Sequence, residues 1–443
     1  MAQVFFGGAY PGDMKAATSE KAIEQLAPPT RVILSLSQHM GTPCRPLVAP
    51  GDRVKVGQRI GEPGDIAGTP VHASISGTVK AVELYPCAAG GKVLSVVIRN
   101  DFRDELSRAV QSPENPESLT VEQMIAQVEN AGVVGMGGVP FPTHRKISDG
   151  IGKVNTVIIN GAECEPYVTS DHRAMVERPE EIVGGAACLA KMFGVDKVYL
   201  GVDAGRQSGI DALIRVISEQ KAPVVVDPLR RRYPEGAERQ LCRAVTGRRV
   251  PPGASPVAVG CAVFNINTVR AVYRAVVLGL PVIRKIVTVS GSGVKEPKNL
   301  ECPVGTPVSD LFNACGGLQD STYKLVMGGP MMGIALPNAE IPINKGTGAV
   351  LAFCENEERS AAHPQCIRCG RCISVCPMHL EPLMLYQFAS RDMLDELEDA
   401  GIMNCMECGS CTYACPARLH LMQMTRDGKR KLSARTAKKE GQA

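Results

Sequence analysis

The chain has 443 residues, of which 44% are hydrophobic and 21% are charged, and it contains 45 glycines, 32 prolines and 17 cysteines. This length predicts about three domains rather than one, and the composition excludes a chain that is disordered throughout. No apolar run reaches the roughly 18–20 residues of a membrane-spanning helix, and the N-terminus lacks a basic start followed by an apolar stretch. We therefore expect neither a membrane-spanning nor a secreted protein.

The net charge of +4 is concentrated at the C-terminal end. Residues 426–443 contain seven Lys and Arg residues against Asp427 and Glu440, whereas the rest of the chain is close to neutral. A basic tail of this kind can contact an anionic membrane surface or an acidic partner, and it can equally be a solvated end. Because basic residues elsewhere are balanced by acidic ones, a nucleic-acid partner is disfavoured.

Residues 1–100 are predicted to be an all-β unit that begins with the apolar strand Arg31–Ser37. Gly-Asp-x-Val-x-x-Gly-Gln at residues 51–58, followed by Ser-Gly-Thr-Val at residues 76–79, resembles the biotinyl/lipoyl-type barrel-sandwich hybrid. Carriers with that fold present a modifiable lysine between the two halves. No lysine occurs between Lys55 and Lys80, so we expect a structural or docking unit here.

A polar, Pro-containing linker precedes residues 118–283, where predicted strands and helices alternate. The expected strands lie at about 154–160, 197–202 and 223–226, and the expected helices at about 120–131, 179–193 and 209–220. Alternation with short connections predicts a parallel α/β layer. Residues 284–355 are β-rich, and their strand at 286–290, Val-Lys-x-Pro at 294–297 and Pro-Val-Gly-Thr at 303–306 resemble the SLBB β-grasp unit.

Eight of the cysteines form two copies of one pattern, each followed by proline. The spacing C-x2-C-x2-C-x3-C-P is that of bacterial ferredoxins, in which three thiolates of one copy and the fourth of the other bind each [4Fe–4S] cluster. We predict two clusters in a ferredoxin-like domain at residues 356–425. Cluster one is predicted on Cys366, Cys369, Cys372 and Cys415. Cluster two is predicted on Cys405, Cys408, Cys411 and Cys376.

Zinc is the alternative for such a cysteine set. Structural zinc sites usually combine two separated C-x2-C pairs, which this repeated run of three cysteines and a trailing Cys-Pro matches poorly. The spacing therefore favours iron-sulfur clusters. The other nine cysteines show no ligand spacing and are expected to be small buried hydrophobic residues, although Cys164 lies beside candidate site residues.

Residues 131–146 are the most informative stretch outside the cysteine pattern. Gly135, Gly137 and Gly138 crowd a bend after a predicted helix, and glycine lets backbone N–H groups approach a phosphate or a flat ring. Lys146 places a positive charge nearby. The stretch does not match the G-x-G-x-x-G dinucleotide fingerprint, so taken alone it fits either a cofactor loop or a plain tight turn.

Three further short segments contain polar residues that could complete such a site. The first follows an apolar strand, and the carboxyl ends of parallel strands are where α/β folds bind ligands. Each segment alone also fits an exposed turn. The candidate residues are Asn160, Glu163 and Glu165 in the first segment, Gly236 and Glu238 in the second, and Asn265 in the third.

In chain order, G-x-G-G-x-x-F-P-T-x-x-K, N-G-x-E-x-E-P, Y-x-x-G-x-E and N-x-N-T resemble the NADH-oxidising flavin subunit of respiratory complex I. Together with the barrel-sandwich, β-grasp and ferredoxin patterns, the chain resembles the RnfC family of the Rnf electron-transport complex over residues 1–420. The resemblance implies a multidomain fold whose α/β domain is Rossmann-type. It also implies noncovalent FMN, NAD(H) as substrate and two [4Fe–4S] clusters.

The resemblance also implies roles for individual residues. Phe141 would stack on the dinucleotide, and Glu165 could contact the nicotinamide. Ala162 and Ala237 depart from the complex I pattern, where acidic residues are usual. His144 and His172 are expected to be positioning or surface residues, because hydride transfer to a flavin needs no protein base. The implied flavin contacts are Gly135, Gly137, Gly138, Lys146, Asn160, Glu163, Glu165, Gly236, Glu238 and Asn265.

The implied activity is ion-translocating ferredoxin:NAD⁺ oxidoreduction, with ion transport in partner subunits. The implied partners are a ferredoxin-like iron-sulfur subunit, integral membrane subunits and, indirectly, ferredoxin, with the chain peripheral on the cytoplasmic face of the membrane. Two alternatives remain open. One is a cobalamin-reductase subunit of the microcompartment type, whose domain order differs because its barrel-sandwich follows the clusters. The other is an electron-relay scaffold without nucleotide chemistry.

Overall fold

The structure is a computed structural model that describes residues 5–65, 68–355 and 364–440, and of residues 437–440 the backbone alone. Four folded units follow one another along the chain: a β-barrel-like unit, an α/β layer, a mixed β-sheet unit and a small helical domain that contains the cysteine repeats. None of the helices within the described ranges has the length and apolar content of a membrane span.

The first unit consists of two small antiparallel sheets around one apolar core. Its first strand, β2, buries Val32, Ile33 and Leu34 together, because the core covers one face and the neighbouring β-sheet unit covers the other. The four-stranded sheet has the order β2-β8-β7-β4 and the three-stranded sheet the order β3-β5-β6. The strands are β2 (Arg31–Ser35), β3 (Arg45–Pro46), β4 (Arg53–Val54), β5 (Arg59–Glu62), β6 (Val71–His72), β7 (Gly77–Pro86) and β8 (Lys92–Asn100), and β1 (Ile23–Gln25) precedes them.

The second unit is a parallel sheet of order β11-β10-β9-β12 with helices on both faces. Strand β9 buries Val157, Ile158 and Ile159 consecutively, as expected of a strand covered on both faces. Helix α1 begins with a capping box between Thr120 and Gln123, and α4 ends where Gly194 adopts a left-handed conformation. The elements are α1 (Val121–Asn130), α2 (Thr143–Gly150), β9 (Thr156–Gly161), α3 (Ser170–Glu177), α4 (Pro179–Phe193), β10 (Val198–Asp203), α5 (Gln207–Gln220), β11 (Val224–Leu229), α6 (Glu238–Thr246), β12 (Cys261–Asn265) and α7 (Ile266–Val276).

The third unit is a six-stranded sheet of order β1-β14-β13-β17-β15-β16. Strand β1 lies at its edge and pairs in parallel with β14, in the register Ile23 opposite Asn299. A strand from the N-terminal hundred residues therefore completes a sheet made mainly of residues 284–354. The other elements are β13 (Arg284–Ser290), β14 (Lys298–Pro303), α8 (Val308–Ala314), β15 (Thr322–Met327), β16 (Ile334–Ala335) and β17 (Ala349–Cys354).

The fourth unit is a compact helical domain with its own core, which includes Leu385, Leu397 and Leu432. Its last helix, α13, packs against α10 and α11, so the predicted basic tail from residue 426 onward starts inside a packed helix. The basic side chains of α13 pair with Asp392, Asp395, Glu398 and Glu407 on neighbouring segments and with Asp427 on α13 itself. The helices are α9 (Arg371–Ser374), α10 (Pro382–Ser390), α11 (Leu394–Asp399), α12 (Ser410–Ala414) and α13 (Leu421–Glu440).

Residues 5–20 form an N-terminal segment that leaves the barrel unit and crosses two other units. The backbone N–H of Gly8 donates to the carbonyl of Val375 at 2.8 Å, and Ala9 exchanges two backbone hydrogen bonds with Tyr233. Farther along, the backbone N–H of Tyr167 donates to the Asp13 carbonyl. The segment thus ties the cysteine domain to the carboxyl edge of the parallel sheet.

We expect Gly7→Ala to destabilise the attachment of the N-terminal segment. Gly7 has φ +77°, and an added Cβ would lie 2.8 Å from backbone atoms of Cys376, which cannot move without displacing a predicted cluster ligand. Strain and overpacking of this kind cost about 1–3 kcal/mol, so the melting temperature should fall by several degrees in thermal unfolding. Gly12→Ala is the matched control, because its Cβ would meet only the flexible side chain of Met14 at 3.6 Å. Equal melting temperatures for the two variants would contradict this role for the segment.

Candidate functional site

The carboxyl ends of β9 and β12 bring two asparagines side by side. Asn160 and Asn265 are register partners in the parallel sheet, so the first and third candidate segments meet at one edge. The Asn160 amide donates to the backbone carbonyl of Gly236 at 2.7 Å, which adds the second segment. An added Cβ on Gly236 would lie 3.3 Å from the Cys164 sulfur and 3.4 Å from the Asn160 side chain. Glycine at 236 therefore permits this close approach.

The glycine-rich loop lies against the same edge. An added Cβ on Gly137 would come within 2.9 Å of the Asn265 Cβ, whereas one on Gly138, at φ +140°, would meet nothing within 4 Å. The loop is held by a hydrogen bond from the Gly135 N–H to the Phe141 carbonyl and by one from the Met136 N–H to the Thr268 hydroxyl. It therefore presents a backbone surface that is closed toward the sheet and open at Gly138. An open surface free of Cβ atoms suits a flat ring or a phosphate.

Lys146 and Glu238 form an ion pair beside this edge. The Lys146 ammonium donates to the Glu238 carboxylate at 2.5 Å and lies 5.3 Å from the centre of the Phe264 ring. Phe141 is 40% exposed at the open side of the glycine loop. The ion pair is partly exposed, as is the Phe141 ring, so both are accessible to a ligand.

Behind the asparagines, Asp171 organises a buried polar network that the sequence patterns did not reveal. Its carboxylate accepts hydrogen bonds from the amides of Asn265 at 2.7 Å and Asn267 at 2.5 Å. Burial raises the pKa of this carboxyl, and the two asparagine amides oppose the rise. Asp171 lies in the first turn of helix α3, in a polar run that matches no motif. Only the folded structure shows that it belongs to the site.

The Glu163 carboxylate makes its polar contacts within the protein. Its carboxylate accepts the backbone N–H groups of Asp171 and His172 at the start of α3 and forms an ion pair with Lys15 of the N-terminal segment. Burial raises its pKa to about 7, while Lys15 and the two backbone N–H groups favour the charged form. Glu163 thus positions α3 and the N-terminal segment, and its role as a flavin contact stays a prediction.

Glu165 connects three units. Its carboxylate accepts the backbone N–H groups of Met331 and Met332 from the third unit, at 3.0 and 2.9 Å, and lies 3.5 Å from the hydroxyl of Tyr233. That hydroxyl donates to the backbone carbonyl of Cys408 at 2.6 Å. Burial raises the pKa of Glu165 to about 7. In this structure the Glu165 carboxylate contacts groups of the protein, and its contact with the nicotinamide stays a prediction.

Both histidines that flank the candidate loops are buried, which excludes the surface alternative. The His172 backbone N–H donates to Glu163. Burial, with Arg206 and Arg173 nearby, lowers the pKa of the His172 imidazole to about 4. Of the two methionines beside Glu165, Met331 is buried, whereas Met332 is 41% exposed. Met331 therefore belongs to the core, whereas Met332 lies at the surface.

The cysteines of the two repeats differ in exposure. Cys366 and Cys369 are exposed, whereas Cys376 and Cys408 are buried. No three His, Cys, Asp or Glu side chains converge as a metal site within the described ranges, so the pairing must be judged from neighbouring thiols. Burial raises the pKa of Cys411, and Cys405, Cys408 and Cys376 raise it further, while Cys415 contributes to the raised pKa of Cys372. These neighbours agree with the predicted ligands of cluster two and with the Cys372–Cys415 pair of cluster one, and the donor set fits two cubic clusters; the full pairing stays a prediction.

An apolar cluster lies between the asparagine edge and the second cysteine repeat. Tyr233, Met331 and Cys408 form its buried part, and Cys164 and Met406 pack against it. The Cys164 sulfur also packs closely against Gly236, as described above. Burial raises the pKa of the Cys164 thiol to about 12, which keeps it neutral. The cluster is a continuous apolar contact from the sheet edge to a predicted cluster ligand.

A cavity of about 340 Å³ opens at the ends of β10 and β11, under the N-terminal segment. Its lining includes Tyr10, Glu163, Cys164, Tyr233 and Glu235, but none of the glycine-loop residues. Burial raises the pKa of Glu235 to about 8, against the opposing effect of Arg232. Sequence patterns missed this cavity, because about a third of its lining residues belong to the N-terminal segment.

Lys345 holds the start of the glycine loop. Its buried side-chain amine donates to the carbonyls of Pro70 in the barrel unit and Gly132 at the start of the loop, at 2.8 and 2.7 Å. Its own backbone N–H donates to Gln38. Burial lowers the pKa of Lys345 from 10.5 to about 7. One lysine therefore fixes three units at the base of the loop.

Family models match the chain in the order that the sequence predicts. An RnfC barrel sandwich hybrid domain matches residues 3–103, a Nuo51 FMN-binding domain residues 128–274, an SLBB domain residues 286–335 and a 4Fe-4S dicluster domain residues 360–416. The RnfC component of the Na(+)-translocating ferredoxin:NAD(+) oxidoreductase complex of Acetobacterium woodii is 40% identical over 98% of both chains. The chain belongs to the RnfC family.

Other relatives extend this RnfC likeness. The corresponding component of the proton-translocating ferredoxin:NAD(+) oxidoreductase complex of Clostridium ljungdahlii is 38% identical over 90% of this chain and 87% of its own length. That of the ion-translocating oxidoreductase complex of Rhodobacter capsulatus is 39% identical over 98% of this chain and 84% of its own. A solved NAD⁺-reducing [NiFe]-hydrogenase in the H₂-reduced state has a TM-score of 0.52 and 21% identity, covering 72% of this chain and 62% of that one, which shows a shared fold.

The expected fold class is confirmed for this RnfC-family chain. The barrel-sandwich unit precedes the clusters, which is the order that separates RnfC proteins from the microcompartment type of cobalamin reductase. The FMN-binding and dicluster domains confirm the expected cofactor classes, FMN and [4Fe–4S] clusters. The roles of individual contact residues stay predictions.

The stability of this RnfC-family chain should increase with pH more steeply than that of a Lys345→Met variant. Lys345 has a pKa near 7 in the folded chain and 10.5 in the unfolded chain, so between these values it is neutral when folded and charged when unfolded. Its burial leaves the free energy of unfolding unchanged above pH 10.5 and lowers it increasingly as the pH falls toward 7. The difference in unfolding free energy should therefore change by about 1 kcal/mol per pH unit between pH 8 and 10. Urea unfolding across this range measures it. Lys298→Met, which removes a partly exposed lysine, is the control, and a parallel pH profile for Lys345→Met and the wild type would contradict a neutral buried amine.

Proposed function

We propose that this chain is the NAD(H)-oxidoreducing subunit of an ion-translocating ferredoxin:NAD⁺ oxidoreductase complex. The observation that carries the proposal is the continuous contact from the asparagine edge, through Tyr233, to the buried cysteine repeat. A nucleotide site alone would need no such contact, and a ferredoxin-like domain alone would need no α/β edge. The names of the Acetobacterium and Clostridium relatives supply the donor and acceptor pair.

The residues present fit an FMN at the edge of β9 and β12. The backbone of Gly137 and Gly138 would face the flavin, the amides of Asn160 and Asn265 would offer polar contacts, and Lys146 would supply positive charge. A bound flavin exchanges hydride with NAD(H) and single electrons with iron-sulfur clusters. Phe141 would cover the dinucleotide, since its ring is exposed at the open side of the loop. Glu163 and Glu165 would act indirectly, by fixing α3 and the third unit.

The protein would deliver electrons through its two clusters in a fixed order. Cys408 and Cys376 are buried against Tyr233 and the N-terminal segment, so cluster two would adjoin the flavin. Cys366 and Cys369 are exposed, so cluster one would face a partner. The partner at this surface would be a ferredoxin-like iron-sulfur subunit, because cluster one exchanges single electrons.

Attachment to the cytoplasmic face of the membrane would occur through integral membrane partner subunits rather than through direct lipid contact. The basic residues of α13 that suggested a lipid-binding tail are largely paired with carboxylates of the same domain. Paired charges contribute less to binding an anionic surface than free ones. Lack of binding of the purified chain to anionic vesicles would agree with this assignment, whereas strong salt-sensitive binding would contradict it.

The decisive experiment is an anaerobic NADH titration of the cluster-reconstituted, flavin-loaded chain, followed by visible absorption. Stoichiometric bleaching of the flavin band is expected. Gly137→Ala should weaken FMN binding about tenfold or more, because its Cβ would press on Asn265. Gly348→Ala, whose Cβ would have only an ordinary contact at 3.7 Å, is the matched control. Bound flavin that NADH leaves oxidised would favour a cobalamin-type reductase, and complete absence of flavin would favour an electron-relay scaffold.

Serine variants of single cysteine ligands test the order of the clusters. In Cys366→Ser, NADH should still reduce cluster two, but reduction of an external one-electron acceptor should fall at least tenfold. In Cys408→Ser, NADH should bleach the flavin and leave cluster one oxidised on the turnover timescale. Electron paramagnetic resonance of freeze-quenched samples distinguishes these cases. Rapid reduction of cluster one in Cys408→Ser would show that the flavin adjoins the exposed cluster instead.

A further inference from the structure

A small cavity between α7 and the β13–β14 strands is lined by an excess of cationic side chains. It has a volume of about 30 Å³ and lies on the opposite side of Asn267 from the candidate flavin edge. Its polar lining includes one carboxylate and four cations. The polar residues are Asn267, Arg270, Arg274, Arg284, Lys285 and Glu301.

Lys285 is the least satisfied of these groups. Lys285 is 4% exposed, and its side-chain nitrogen has no hydrogen-bond partner among the residues that the structure describes. Burial lowers the pKa of Lys285 to about 8, and the nearby Asp171 carboxylate, which opposes this, already accepts the amides of Asn265 and Asn267. Because a buried ammonium without an acceptor costs several kcal/mol, a ligand beside Lys285 would stabilise the fold.

The arginines are oriented but not fully neutralised by the protein. Arg270 pairs with Glu181 at 2.8 Å, whereas Arg274 lies 3.7 Å from Glu301. Arg284 donates to the neutral side chain of Gln25 and to a backbone carbonyl, neither of which carries a negative charge. Three carboxylates, Asp171, Glu181 and Glu301, therefore serve three arginines and Lys285, which leaves one positive charge uncompensated.

We propose that this cavity binds a small inorganic anion of halide size, such as chloride. A cavity of about 30 Å³ holds one or two water-sized bodies, which is too small for a nucleotide phosphate group and its ester. A water molecule could accept one hydrogen bond from Lys285 but would leave the excess positive charge uncompensated. The anion would connect Lys285 of the β-sheet unit with the arginines of α7.

The position of the cavity relates the anion to the glycine loop. Met136 of that loop lines the cavity, and its backbone N–H donates to Thr268 on α7. Asn267 lines it as well and donates to Asp171, which also holds Asn265. The anion therefore stabilises the contact between α7 and the glycine loop, without contacting any candidate flavin residue.

The test uses the full chain, loaded with FMN and reconstituted clusters, in buffers where chloride replaces gluconate at constant ionic strength. Chloride should raise the melting temperature by about 2–4 °C and saturate. Lys285→Met should abolish this dependence, whereas Lys298→Met, on the adjacent strand, should retain it. A wild-type melting temperature that is independent of chloride, or equal chloride effects in Lys285→Met and the wild type, would overturn the proposal.

Two further measurements keep the proposal testable if Lys285→Met does not fold. Arg284→Gln keeps a polar side chain and should shift the chloride midpoint at least several-fold to higher concentration. In crystals grown with bromide, an anomalous difference peak should lie beside the Lys285 ammonium. Density for water alone at that place, without an anomalous peak, would exclude a halide. Neither readout depends on oxidoreductase activity, so both remain decisive if NAD(H) chemistry is absent.

Discussion

The Glu165 carboxylate is the constraint that holds the sheet edge, the third unit and the cysteine domain in their relative positions. It is buried, yet it accepts two backbone N–H groups from the third unit and approaches the hydroxyl of Tyr233, which in turn holds the Cys408 carbonyl. A buried carboxylate is tolerated only while its acceptor positions are filled. Separation of the units would therefore remove several partners at once. Distances between the sheet edge and the cysteine repeat are consequently set by hydrogen bonds rather than by apolar packing alone.

Lys345 plays the corresponding part on the opposite side of the site. It joins the barrel unit to the start of the glycine loop with two carbonyl acceptors, while Glu165 joins the end of β9 to the cysteine domain. These two buried ionisable groups lie on different units, one as a donor and the other as an acceptor. The α/β layer is thereby held from both sides, which explains why a barrel unit without a carrier lysine is present in an electron-transfer protein.

The cofactor-bearing units could be predicted from the sequence because their signals are local. The cysteine repeat specifies its chemistry within a few residues, and the apolar run that becomes β9 predicts both the strand and the polar edge at Asn160. Contacts made across the chain could not be predicted in this way. Lys15, Asp171 and Lys345 have no distinctive neighbours, and their importance comes from partners more than a hundred positions away or on another element. The identities of Glu163 and Glu165 were recognised, but their orientation was not, because sequence spacing carries no information about which unit a side chain will meet.

The course of residues 5–25 has a consequence for how the chain assembles. The partners of this segment include β14 and the backbone of Val375 and Cys376, which follow it in the chain only several hundred positions later. Such non-local pairing carries a large loop-closure cost and slows folding. The sheet unit and the cysteine domain cannot reach their final form until residues 5–25 have docked onto them. Cluster insertion into the buried cysteine repeat would consequently be coupled to the docking of this segment.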